Sequence, residues 1–460
     1  MMKDKKLTKG NYIFIGSMLF GMFFGAGNLI FPIHLGQLAG SNWLPAAIGF
    51  LITGTLLPLL AIIAISITKS NGIYDLAKPI SKKYATIFMI LLCATLGPLF
   101  ATPRTATTPF QIGFAQHLSA SQTPIALFIY SLIFFGITWA FARKPGEIIN
   151  SIGKLLNPAF LILLAIIFGF SFMSPMGKAS GQATTSAYQH ASFLNGFLQG
   201  YNTMDCIAGL LFGIAIVTII RNLGPKDPAN IAKATAKSGL ISITLEAIIY
   251  LILIWIGATS LEYFKVSADG GIAFSQIANH FMGIPGEIIL AIMATLTCLT
   301  TSIGLSTSFA EALHTRFPKI SYAKWNAFTC LLSFLIANLG LDQIIAWSLP
   351  MLMFVYPLAI TLIALSILSP LFKKARIVYI MTTLFTLIPA LLDGITSAPA
   401  IISASAWAKA LLKIDSYLPF ASYGMDWVIP AILGFIVGLI ILGFQLAMGR
   451  SNKTIVSQTN

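Results

Sequence analysis

The chain has 460 residues, of which 57% are hydrophobic and only 9% charged, against about 25% charged in soluble domains. That excludes a water-soluble fold, and several runs of about 18 or more residues without a charge are long enough to cross ~30 Å of hydrocarbon as helices. The net charge of +14 comes as short clusters between apolar runs, which orients a membrane protein rather than binding nucleic acid.

A lysine cluster at Lys3, Lys5, Lys6 and Lys9 opens the chain. The apolar run behind it has no small-residue cleavage site and continues through Pro32, so it reads as a retained first helix. Breaks in hydropathy predict twelve spans, the first six at 13–33, 43–67, 84–110, 124–141, 152–173 and 193–220. The others fall at 239–258, 285–313, 325–339, 344–370, 377–395 and 427–448. No alternation of the kind a transmembrane β-barrel needs is present. Of the 28 Lys and Arg, 23 fall on the tails and every second loop, counting Lys154 at the very start of the fifth span, Lys178, Lys265, Lys409 and Lys413 fall on the other side, and Arg104 alone lies deep within a span. An excess recurring on alternate loops places both termini in the cytoplasm.

Span 1 carries Gly21, Gly25 and Gly27, with Asn28 and Pro32 following, in the middle of an apolar helix. Glycines unwind readily, and unwound backbone at membrane depth persists only where it is buried in protein or lines a wet cavity. The alternative for Gly21 and Gly25 is small-residue helix packing. Span 6 has a matching interruption in Gly200-Tyr201-Asn202-Thr203-Met204-Asp205. These segments open two five-helix blocks of opposite orientation, an inverted repeat, and paired broken helices in such repeats point to a transport site. The chain is thus divided into a tail 1–12, repeats 13–173 and 193–370, two further helices in 377–448 and a tail 449–460.

Arg104 sits toward the outer end of span 3 between Pro103 and Pro109. There it can snorkel, or form a structural or gating ion pair with Asp205, Glu287 or Asp393. Asp205 is an acid at mid-membrane, a functional position by default; Glu246 in span 7 reads as a hydrogen-bonding group or a proton relay. Cys93, Cys206, Cys298 and Cys330 lie in or beside apolar runs, so no disulfide framework is implied. The five histidines lack metal-ligand spacing. No catalytic triad, metal cluster or carboxylate pair marks an enzyme, and no cofactor motif is present.

FFGAGNLIFP in span 1, GPLFATPRTA in span 3 and GYNTMD in span 6 resemble the branched-chain amino acid:cation symporters, the LIVCS or BrnQ-type carriers, along nearly the whole chain. The resemblance implies an all-α fold of the leucine-transporter type within the amino acid-polyamine-organocation superfamily, with a five-plus-five inverted repeat and two added helices. It implies uptake of leucine, isoleucine and valine driven by Na⁺ or H⁺, in the cell membrane among lipids, with no oligomeric state assigned.

By the same resemblance Phe23, Gly25, Ala26, Gly27, Thr203, Asp205, Ala208 and Leu305 match the substrate site. Gly21, Phe24 and Thr297 match carbonyl donors, and Thr300 and Thr301 hydroxyl donors, of a sodium site. Such neutral oxygens hold Na⁺ without immobilising it, although membrane Ser and Thr often bond only the preceding turn. Asn28 and Thr203 match a second ion position, where Asp205 replaces a small polar residue. The expected arrangement holds the substrate carboxylate on the N–H groups of Gly25 to Gly27.

Overall fold

The computed structural model describes residues 7–143, 147–225 and 227–448. The tail lysines Lys3, Lys5 and Lys6, with Lys144, Lys226, Arg450 and Lys453 of the charge pattern, lie outside the described residues, which contain helices and no strand. Helices α1 (Lys9–Phe23) and α2 (Ala26–Ala39) are the two halves of the first predicted span; Thr8 starts α1 by accepting the N–H of Asn11. Helix α3 (Trp43–Leu51) runs through a π turn into α4 (Leu57–Thr68). After the short α5 (Ile73–Ala77), Ser81 caps α6 (Lys82–Ala94), and a second π turn, Thr95–Leu99, leads into α7 (Ala101–Gly113).

Then come α8 (Thr123–Ala142), α9 (Glu147–Met173), α10 (Ser186–Gln199) and α11 (Asp205–Leu223). Helices α12 (Pro228–Thr259), α13 (Gly270–Arg316), α14 (Tyr322–Ala337) and α15 (Leu341–Leu368) follow. The chain closes with α16 (Arg376–Thr396), the short α17 (Ala400–Ser403), α18 (Ala406–Asp415) and α19 (Val428–Ala447).

Among the described residues nine helical stretches are long and apolar enough to cross a bilayer. The three remaining predicted spans are the broken first one, α9, whose apolar part is Pro158–Met173, and the 16-residue α14. Ile125, Ile129 and Ile133 form an exposed stripe at four-residue spacing on α8, and Ile284, Ile288 and Ile292 another on α13. Apolar stripes facing outward around buried Asn28, Arg104, Asp205 and Glu246 are what a hydrocarbon solvent favours and water does not.

Helix α2 lies inside this bundle, packed on α12, α13, α3, α10 and α7, while α1 rests on α12 and α11. Close approach of α3 to α10 brings the second break beside the first. A Cβ on Gly49 would lie 2.7 Å from the backbone nitrogen of Phe197, and one on Gly196 2.7 Å from the carbonyl carbon of Ala46. Below, the face bearing the basic loops is called the basic face and the opposite one the far face.

Candidate functional site

The first break is confined to Phe24 and Gly25, both extended, so that Gly27 and Pro32 lie within α2. In the second, α10 ends at Gln199 in a 3₁₀ turn, Gly200–Thr203, and Met204 adopts a left-handed φ of 61° before α11 begins at Asp205. A buried non-glycine residue in that region carries strain of about 1–2 kcal/mol, held here by the packing around it. Tyr201 in the turn stacks on Tyr356 of α15 with ring centroids 4.0 Å apart.

Asn28 ties the breaks together. Its Oδ1 accepts the N–H of Gly25 at 3.1 Å, and its Nδ2 donates to Asp205 Oδ2 at 2.7 Å and to the hydroxyl of Tyr250 on α12. Asn28 and Asp205 are both buried. Thr203 stays local, donating to the Gly200 carbonyl at 2.9 Å and accepting the N–H of Asp205 at 3.4 Å. Asn28 thus already holds the Gly25 N–H, one of the three donors expected to face a carboxylate. The N–H groups of Ala26 and Gly27, in the first turn of α2, have no intrahelical partner by position and lie at the positive end of the helix dipole. One helical turn from Tyr250, Glu246 accepts from Ser242 at 2.7 Å, and its Oε2 has no partner among the described residues.

Arg104 is not at a surface, and it pairs with none of the three expected acids. It is 3% exposed, and among the described residues no carboxylate lies within ion-pair distance of it. Its Nη1 donates to the Asn202 carbonyl at 2.9 Å, its Nη2 to Ser348 on α15, and its Cζ lies 5.2 Å from the Phe31 ring centre on α2. Asp205 is engaged by Asn28, Glu287 by His117, Ser275 and Asn279, and Asp393 lies beside Asp415 and Asp426. The physical reason is the kink at Gly97 and Phe100. It displaces α7 from the line of α6 and turns Arg104 toward the second break.

Thr300 and Thr301 both donate to the Thr297 carbonyl, at 2.8 and 3.1 Å, and are half-buried; Thr297 is buried with its hydroxyl unpartnered among the described residues. Thr301 faces the first break, its methyl lying 3.5 Å from where a Cβ on Gly25 would stand. Gly21 is exposed, whereas Phe23, Phe24 and Ala208 are buried. Leu305 lines a cavity of about 540 Å³ toward the basic face, together with Leu211, Phe212 and Arg316. A second cavity, of about 590 Å³, opens toward the far face and is lined by Phe31, Asn202, Asp269 and Asp342. Asp269 caps α13 by accepting the N–H groups of Gly271 and Ile272, and Gln111 donates to its other oxygen. Burial nonetheless pushes its carboxyl up to about 6.

The helix breaks and the Arg104 cluster thus lie between two vestibules on opposite faces, the geometry of a carrier. A family model described as branched-chain amino acid transport protein matches residues 8–445. The chain belongs to this family. The branched-chain amino acid permease BrnQ of Lactobacillus delbrueckii subsp. lactis is 42% identical over 436 residues, covering 94% of this chain and 97% of the relative. The permease BraB of Bacillus subtilis (strain 168) is 39% identical, covering 94% and 95%. In structure the chain is similar to Mhp1, a nucleobase-cation-symport-1 family transporter in a closed conformation, with a TM-score of 0.59, 13% identity, and coverage of 94% of this chain and 93% of that one. An inward-facing structure of Mhp1 gives 0.56 at 11% identity, covering 97% and 96%. The leucine-transporter-type fold is shared; at this identity the likeness carries the fold alone.

In this family member the sequence reading missed Tyr250, Asn202 and Ser348. Tyr250 was findable as the residue one turn beyond Glu246 on α12. Nothing local marks Ser348. It also missed a group of three buried carboxylates, Asp393, Asp415 and Asp426, at the far-face end of α16, α18 and α19.

Proposed function

We propose that the chain is a secondary symporter that carries branched-chain amino acids, namely leucine, isoleucine and valine, across the cell membrane together with Na⁺, its basic face and both termini cytoplasmic. The observation carrying this reading is the meeting of two helix breaks, joined by Asn28 and Asp205, between vestibules on opposite faces. A zwitterion fits there: a carboxylate on the N–H groups of Ala26 and Gly27, and an ammonium at the carbonyls closing α1 and the 3₁₀ turn, beside Asp205. Phe23, Ala208 and Leu305 would meet the branched side chain. The repeats 13–173 and 193–370 would then move against one another in alternating access, with 377–448 accessory.

The carbonyls of Gly21, Phe24 and Thr297 and the hydroxyls of Thr300 and Thr301 form the proposed Na⁺ site. Occupation of it would join α1 to α13 and favour the outward-open state, coupling the ion to substrate capture. Proton coupling is the second reading, favoured by one feature: Glu246 is buried with an unpartnered oxygen, one turn from the Tyr250–Asn28–Asp205 chain. Labelled leucine uptake in competition with a panel of amino acids tests the substrate assignment. Isoleucine and valine should compete fully and polar amino acids should not; strong competition by a polar amino acid alone would overturn it.

A further inference from the structure

Arg104 is the one buried cation in the middle of the described bundle, and its surroundings give it no anion. A guanidinium has five N–H donors in a planar fork. Here one meets a carbonyl and one a hydroxyl, and Nε, buried, meets nothing among the described residues. Carbonyls and hydroxyls offset only part of the cost of taking such a charge out of water, and the remainder is recovered when an anion arrives.

Its position says which anion. The Asn202 carbonyl that holds Nη1 at 2.9 Å also lies 3.5 Å from where a Cβ on Gly27 would stand. Phe31, under the guanidinium, is one turn further along α2. Arg104 therefore overlies the first turn of α2, whose N–H groups point toward the break, and Phe31 and Asn202 line the far-face vestibule. We infer that Arg104 is the receptor for the substrate's α-carboxylate, which enters between the guanidinium fork and the N–H groups of Ala26 and Gly27 and displaces the Ser348 hydroxyl.

Resting on the branched-chain reading above, this gives the carrier its requirement for a free carboxylate. It also couples capture to closure, because the same guanidinium holds the second break and α15. Fork-to-carboxylate pairing suits Arg, and an ammonium in its place would supply charge without the two parallel bonds.

The test is competition of leucine and of leucinamide, which lacks the carboxylate, against labelled leucine in proteoliposomes of the full chain. The wild type should prefer leucine by about 100-fold or more; in Arg104→Gln leucine affinity should fall about 30- to 100-fold while that of leucinamide changes less than about threefold. Arg104→Lys should fall between. Should leucine and leucinamide weaken equally, or the wild-type preference survive in Arg104→Gln, Arg104 is only a structural strut and the inference is wrong. If Arg104→Gln does not fold, Ser348→Ala serves instead: by removing the competing hydroxyl it should tighten leucine and leave leucinamide unchanged, and weaker leucine binding would overturn the assignment. Failure of the wild type to bind leucine at all would instead remove the substrate reading beneath it.

Discussion

The Asn28–Asp205 bond allows a double-mutant cycle whose outcome follows from the geometry. Nδ2 of Asn28 lies 2.7 Å from Asp205 Oδ2, and both side chains are buried. Asn28→Asp sets two carboxylates face to face in a site with no cation within bonding distance among the described residues, which should cost about 3–5 kcal/mol. Asp205→Asn keeps a hydrogen bond but loses its charge assistance, about 1 kcal/mol. The exchanged pair, Asn28→Asp with Asp205→Asn, restores one carboxylate and one amide. The new carboxylate still accepts the Gly25 N–H, and the Tyr250 hydroxyl reverses from acceptor to donor. The double variant should therefore recover at least about 2 kcal/mol relative to the sum of the singles, about 30-fold in an equilibrium constant. Thermal unfolding of the purified proteins in detergent, with leucine binding by scintillation proximity, measures it. Effects that add to within about 0.5 kcal/mol would refute the claim that this bond joins the two breaks.

Gly27→Leu should abolish transport while leaving membrane insertion intact, because even its Cβ would lie 3.1 Å from the Phe31 ring; normal leucine affinity in that variant would count against the site. Replacing Thr300 and Thr301 together by Ala should remove the Na⁺ dependence of leucine binding, read as affinity across a Na⁺ titration, and leave Na⁺-free affinity unchanged. Burial and the neighbouring Asp426 push the Asp415 carboxyl up to about 7, above its unfolded value of about 3.9. The folded chain thus binds the extra proton, and that contribution to stability is present at low pH and lost as pH rises through about 7. The unfolding temperature should therefore fall less between acid and alkaline buffer in Asp415→Asn than in the wild type.

Features that depend on local composition were legible in the sequence. The glycines at 21, 25 and 27 and the GYNTMD segment announced the two breaks, and the alternation of basic loops announced the spans around them. What the sequence hid depends on direction and on distant neighbours. Residue count along span 3 gives depth only for a straight helix, and the kink at Gly97 places Arg104 in the interior instead of at the expected outer position. The link from Asn28 to Tyr250 joins positions 222 residues apart, and the meeting of Asp393, Asp415 and Asp426 depends on how α18 folds back on α16 and α19; no periodicity encodes either. The hold of Asn28 on the Gly25 N–H is hidden for the same reason: the side chain three residues on turns back to take it, a choice that only the capped geometry of α2 reveals.

Leucine accumulation in proteoliposomes under a single imposed gradient tests most directly whether leucine moves with Na⁺ through this site, as proposed. An inward Na⁺ gradient at equal pH should drive accumulation above the external concentration, and a pH gradient without Na⁺ should not. Accumulation driven by the pH gradient alone would contradict the Na⁺ assignment and transfer coupling to the acids Asp205 and Glu246.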